Sequence, residues 1–210
     1  QFLDKHVPSA AEMEAEEEAE AAEELAAEGN ADAALEKLQQ AVAIDPANDT
    51  ARFDYVKLLL ERGRVAEART AYEPVASKAL ADARIAALGL YLDACERAAS
   101  ARPVEALSAA ITANKRDFEA RHELAQQHFA AGRFTEAMDE LLEILMRDKA
   151  WNEGLARKTY VAILEMMSKP APKAAATETK GTLEVTGKAA VAPADPVVDQ
   201  YRRKLSMTLF

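Results

Sequence analysis

Glu28-Gly29-Asn30-Ala31-Asp32-Ala33-Ala34, Arg62-Gly63-Arg64-Val65-Ala66-Glu67-Ala68 and Ala131-Gly132-Arg133-Phe134-Thr135-Glu136-Ala137 are three copies of one phrase. The first two glycines lie 34 positions apart and the last two 69, close to twice that interval. A period near 34 residues belongs to stacked helix pairs, so one less regular unit is expected between the second and third copies. In each phrase the glycine ends one helix by taking backbone angles that other side chains resist. The alanine five positions later falls where the next helix crosses the first, and a bulkier side chain there would push the axes apart.

Working outward from each phrase, Leu38 and Ala41, Tyr72 and Val75, and Leu141 and Ile144 continue from Ala34, Ala68 and Ala137 on one helical face. Backward from the glycines, Ala22, Val56 and Ala125 align, as do Leu25, Leu59 and His128. Asp45-Pro46-Ala47-Asn48 then closes the first unit, because proline cannot continue a helix interior. Period and punctuation together resemble the tetratricopeptide repeat. The expected fold is all-α: a right-handed helical solenoid of about four helix pairs, one degenerate, plus a tethered C-terminal helix.

Irregularities refine this reading. Pro74 sits inside what would be the second helix of the second unit, so that helix should stop near Glu73. A longer helix is expected from about Asp82 to Ala99, followed by one opened by Pro103 with Val104, Leu107 and Ile111 on a shared face. That pair, roughly residues 82–116, is the degenerate unit. Ser9-Ala10-Ala11-Glu12 is a capping-box pattern that opens the first helix. From Glu12 to Glu28 this helix carries nine glutamates and no basic residue, which reads as a solvated acidic face.

The 210 residues are 50% hydrophobic and 30% charged, with seven glycines and almost no alternating pattern of the strand type. A formal charge of −10 argues against nucleic acid as a partner, since phosphate binding needs a clustered basic surface. No apolar run approaches the roughly 18 residues of a membrane span. The single Cys95 excludes an internal disulfide and fits a reducing compartment, so a cytoplasmic location is expected. Cys95 lies mid-helix among acidic neighbours that dull a thiol, and a packing role is expected for it. His122 and His128 are six apart, on different faces, and cannot chelate one metal as an i, i+4 pair would. With no phosphate loop, catalytic triad or metal cluster in the sequence, no enzyme, cofactor or metal is expected.

From Phe118 onward a narrower likeness emerges. Arg121-His122-Glu123-Leu124-Ala125, Gly132-Arg133-Phe134-Thr135-Glu136-Ala137, Leu141-Leu142-Glu143-Ile144, Asp148-Lys149-Ala150-Trp151-Asn152, Arg157-Lys158 and the terminal Asp199-Gln200-Tyr201-Arg202-Arg203-Lys204-Leu205 resemble the C-terminal half of the chaperedoxins. In these bacterial YbbN/CnoX-type proteins a thioredoxin domain precedes tetratricopeptide repeats. The resemblance covers about residues 10–167 and 196–210. It implies a co-chaperone module that holds unfolding or oxidatively damaged clients and delivers them to a GroEL-type chaperonin and the DnaK system, with the C-terminal helix as the chaperonin-docking element. It also implies that residues 1–9 are a linker from a thioredoxin domain. No Cys-x-x-Cys occurs in this sequence, so no redox residue is assigned.

Residues 10–167 are thus the expected solenoid, 168–195 an Ala-, Pro- and Lys-rich flexible tether, and 196–210 an amphipathic helix. In that helix Val197, Tyr201, Leu205 and Leu209 recur at i, i+4 spacing opposite Arg202 and Arg203, and Phe210 ends it. Either the helix folds back to cap the solenoid, as terminal repeats require, or it docks in a partner's groove. The first helix of each pair lines the concave side of such solenoids, where Phe53, Lys57 and Leu60 match His122, Gln126 and Phe129. These six are candidates for a client or peptide surface, and the alternative is that Phe53 and Phe129 pack between repeats. Trp151 is expected to close the third phrase's unit against a helix from about Asn152 to Met167, with Leu155, Val161 and Leu164 inward. The competing function is a generic tetratricopeptide scaffold that binds one partner's peptide without chaperone activity.

Overall fold

The computed structural model describes residues 8–168 and 195–210, so the expectations for the linker before Pro8 and for the tether over 169–194 lie outside the described residues. The described residues form ten α-helices and one 3-10 helix: α1 Ala10–Ala27, α2 Ala31–Ile44, α3 Asp49–Glu61, α4 Val65–Tyr72, the 3-10 helix Glu73–Leu80, α5 Ala83–Ala98, α6 Val104–Ala113, α7 Phe118–Ala130, α8 Phe134–Leu145, α9 Trp151–Met167 and α10 Pro196–Leu209. They build a tetratricopeptide-like helical solenoid.

The three phrases act as their chemistry dictates. Gly29, Gly63 and Gly132 take φ of 83°, 72° and 70°. At each, the glycine N–H and the next N–H turn back onto the end of the preceding helix, as when Gly63 donates to the Leu60 carbonyl at 2.9 Å and Arg64 to Leu59 at 2.8 Å. This paired closure satisfies carbonyls that would otherwise be orphaned and reverses the chain. Ala34, Ala68 and Ala137 are fully buried at the crossings, and Leu38, Tyr72, Val75, Leu141 and Ile144 bury the stripes beyond them. At the start, the Ser9 hydroxyl accepts from the Glu12 N–H while the Ser9 N–H donates to the Glu12 carboxylate.

The middle departs from regular stacking in two ways. α4 ends at Tyr72, and Pro74 diverts the chain into the 3-10 helix, where its missing N–H falls in the first turn and costs nothing. The expected α5–α6 pair does not form as a pair. α6 sets Leu107 and Ile111 against Ala120 and Leu124 of α7, while α5 packs on the 3-10 helix, α7 and α9. Two sides of α5 are taken by other contacts. Tyr72 Oη donates to the Ile85 carbonyl at 3.1 Å and lies so close to Gly89 that an added Cβ would sit 2.5 Å from it. On another side Tyr91 stacks on Phe129 at 4.9 Å.

After α8 the chain turns through Asn152, Glu153 and Gly154, all at positive φ (46°, 54° and 75°). Glycine and asparagine tolerate this region and glutamate is strained in it. The turn lets α9 cross back over the solenoid, where it packs on α5 and α8, and α10 then lies on α8 and α9.

Candidate functional site

Most of the expected concave surface is interior, because α5 packs against α3 and α7 while Trp151 and Thr159 of α9 meet His122. Phe53, Leu60, His122 and Phe129 are buried, which removes them as surface anchors. Phe129 packs edge-on against Phe134 as well as stacking on Tyr91, and the Arg84 guanidinium lies 4.1 Å above the Phe53 ring. Lys57 stays half-exposed, 3.9 Å from Glu61. Gln126 is half-exposed at a polar recess of about 340 Å³ between α5 and α7. The six candidates therefore do not form one surface. Two open positions remain on different units.

His122 explains the closure. Its ring lies 5.3 Å from that of Trp151, and its Nε2 stands 3.5 Å from Thr159 Oγ1 of α9. Burial, with a smaller contribution from Arg97, lowers its pKa to about 4, so the imidazole is neutral near pH 7. Trp151 also meets Phe118 edge-on at 6.2 Å. The inward stripe of α9 differs from the expected one: Leu164 is buried and Leu155 half-buried, but Val161 is 45% exposed. Wedged between α5 on one side and α8 and α10 on the other, α9 buries Ala156, Thr159, Tyr160 and Ile163 instead.

α10 is seated on one face. Val198 and Tyr201 are buried and Leu205 packs at the edge, whereas Val197 is 38% exposed. The expected stripe beginning at Val197 is thus corrected by one position, because Val198, Tyr201 and Leu205 keep the i, i+3, i+7 rhythm of a helix lying on a surface. Tyr201 is a seat residue and is not free for a partner. Its Oη donates to Asp139 Oδ2 at 3.1 Å, and its carbonyl accepts from Tyr160 Oη at 2.9 Å. Burial pushes both phenols' pKa values up, which keeps them protonated as donors. Lys204 reaches Asp139 at 3.1 Å while lying 4.0 Å from the Tyr201 ring centre. At the far end Leu209 is half-buried, and Lys149 donates to its carbonyl at 2.9 Å.

What α10 leaves outward is distinct. Arg202 is exposed, donating to Ser168 Oγ at 3.0 Å and lying 3.7 Å from Asp199. Arg203 is exposed as well, and Met207 at 75% and Phe210 at 103% relative exposure extend the surface past the seat. A second surface is the cleft of about 550 Å³ between α5 and α9, with Ala86 and Leu90 on one wall, Val161 and Ala162 on the other, and Arg157 and Lys158 along its rim. Sequence reasoning missed this cleft, since nothing in the periodicity says that α9 turns back onto α5.

Cys95 is half-buried, its thiol donates to the Ala130 carbonyl at 3.8 Å, and burial followed by the Glu96 charge pushes its pKa up to about 11. Among the described residues no group of three or more His, Cys, Asp or Glu could hold a metal ion. No described helix is long and apolar enough to cross a membrane. Two family profiles, each described as a tetratricopeptide repeat, match the chain, one over residues 25–89 and the other over residues 97–180. No curated protein matches it.

Proposed function

Starting from a chain that carries a tetratricopeptide-repeat domain, and hence a protein–protein interaction module, we propose that it serves a co-chaperone of the chaperedoxin type. In this reading it holds unfolding clients and delivers them to a GroEL-type chaperonin and the DnaK system. Support comes from the resemblance carried by Trp151-Asn152, Arg157-Lys158 and Tyr201-Arg202-Arg203. The observation that carries it is the division of α10: Val198 and Tyr201 hold the helix down while Arg202, Arg203, Met207 and Phe210 face solvent. A helix anchored on one face and presenting cations, a methionine and a terminal phenylalanine on the other fits helix-in-groove docking. Capping and docking are compatible, because they use different faces of the same helix.

Deleting Pro196–Phe210 tests this reading. Pull-down of a GroEL-type chaperonin should be abolished, with helical content lost only in proportion to the deleted segment. Unchanged capture would contradict it. The α5–α9 cleft favours the second reading, a scaffold for one partner's peptide. Suppression of aggregation separates the two, since a scaffold with one partner should not protect several unrelated unfolding proteins.

A further inference from the structure

The solenoid's cleft between α5 and α9 carries a chemistry of its own. Its walls are apolar and low. Ala83, Ala86 and Ala162 allow another backbone to approach closely, and Leu90 and the 45%-exposed Val161 supply the apolar contact. Arg157 and Lys158 stand exposed at the middle of its rim, and neither has an ion-pair partner among the described residues. On this chain of 36 acidic and 26 basic residues several arginines are taken up by carboxylates: Arg69 by Asp93 and Glu96, Arg102 by Glu123, Arg121 by Glu140, Arg147 by Glu143. What sets Arg157 and Lys158 apart is that both stand beside an apolar cleft, where a partner's carboxylates can reach them.

The carboxylates that could neutralise this pair are held away from it. Glu153 is four residues before Arg157, the usual spacing for a helical ion pair. Its φ of 54°, however, places it in the left-handed turn, off the ladder on which i, i+4 partners meet. Glu165 comes seven residues after Lys158, about 10 Å along the helix at about 1.5 Å per residue. Along α9 the cleft's edge therefore runs negative, positive, positive, negative, with apolar surface beneath.

We propose that this cleft binds an amphipathic helix of a partner protein, with a Leu/Ala stripe on the apolar floor and central carboxylates set against Arg157 and Lys158. A helix of about 12 residues spans the distance from Glu153 to Glu165, about 18 Å. Small residues admit the helix axis, and the paired cations fix its register more than its affinity. The proposal rests on the protein-binding reading and does not depend on chaperonin docking, which uses α10.

The test is fluorescence anisotropy of the full chain with two labelled helical peptides of about 16 residues. Both share a Leu/Ala stripe; one carries central glutamates and the other lysines. The glutamate peptide should bind about tenfold more tightly than the lysine peptide in low salt, with the difference shrinking at high salt. Arg157→Glu/Lys158→Glu should reverse the order, and Val161→Glu should weaken both. All three positions are exposed, so circular dichroism should stay that of the parent. Equal affinity for the two peptides, no binding of the glutamate peptide, or binding unaffected by Val161→Glu overturns the proposal. So does a concentration-dependent dimer that Val161→Glu dissolves, which would assign the cleft to a second copy. Chaperonin capture by the Arg157→Glu/Lys158→Glu variant is expected to match the parent, so failure here leaves the α10 reading standing.

Discussion

Helices α1 to α4 and helices α5 to α10 carry the same repeat phrase and finish with inner surfaces covered by different neighbours. In the first half the side formed by α1 and α3 stays open and charged, with Asp54, Lys57 and Glu61 around a shallow recess. In the second half Trp151 and Thr159 of α9 meet His122 of α7, whose counterpart Phe53 is buried against Arg84 of α5 instead. The repeat phrase sets how helices pair, whereas α5 and α9, which lie outside the phrase-bearing pairs, decide how much of the inner face is available. Surface lost in the second half reappears as the α5–α9 cleft and the outward face of α10.

The most forceful way to break this contrast is to unseat the final helix. Tyr201→Ala removes a buried ring and its bond to Asp139 and should cost about 3 kcal/mol locally. Hydrogen exchange should show Pro196–Leu209 losing protection while α1 to α4 are unchanged. Loss of protection throughout the chain would mean that the two halves are one cooperative unit.

The two halves also carry titrating groups of opposite sense. His122 has a folded pKa of about 4 against an ordinary 6.5, so the stability from its neutral burial is complete above pH 6.5 and lost as pH falls toward 4. Asp54 is raised from 3.8 to about 6, first by burial and against the pull of Arg84. Its contribution is present below pH 3.8 and lost as pH rises through 6. Relative to the parent, Asp54→Asn should leave stability rising more steeply between pH 4 and 6.5, and His122→Gln should leave it falling, by up to about 2 kcal/mol across the His122 window. Denaturant titrations at a series of pH values measure both. Parallel profiles for the two variants would contradict the assignment of opposite environments.

Smaller substitutions probe the junction between the halves and the seat. Gly89→Ala would place a methyl group 2.5 Å from Tyr72 Oη and lift that hydroxyl from the Ile85 carbonyl. The overpacking should outweigh the helix-propensity gain and leave a net loss of about 1–2 kcal/mol, visible in thermal melts; a stabilised variant would show that α4 and α5 are loosely joined. Tyr160→Phe removes only the bond to the Tyr201 carbonyl and should cost at most about 1 kcal/mol. Its mark should be faster amide exchange in α10 alone.

Legibility in the sequence tracked the same division. The glycine turns, the buried alanines, the break after Tyr72 and the helix near residues 83–98 could all be read locally, because each depends on neighbours within one or two turns. Phe53 and Phe129 were equally legible as apolar stripe residues, but their periodicity is the same whether a helix faces a groove or another helix. The three-residue left-handed turn at Asn152–Gly154 offers only one glycine as a signal, so the return of α9 onto α5, and with it the exposure of Val161, had no local signature. On α10 two overlapping stripes begin at Val197 and Val198, and only the seat on α8 and α9 selects the second.

On the proposed reading α10 serves two surfaces at once, one for the solenoid and one for a chaperonin. Surface plasmon resonance of the full chain on an immobilised GroEL-type chaperonin, comparing the parent with Met207→Ser/Phe210→Ser, tests it most directly, since both side chains lie outside the seat. At least about tenfold weaker binding, with unchanged hydrogen exchange across Val198–Leu205, is the predicted result. Equal binding by the two chains, or absence of binding by the parent, would contradict it.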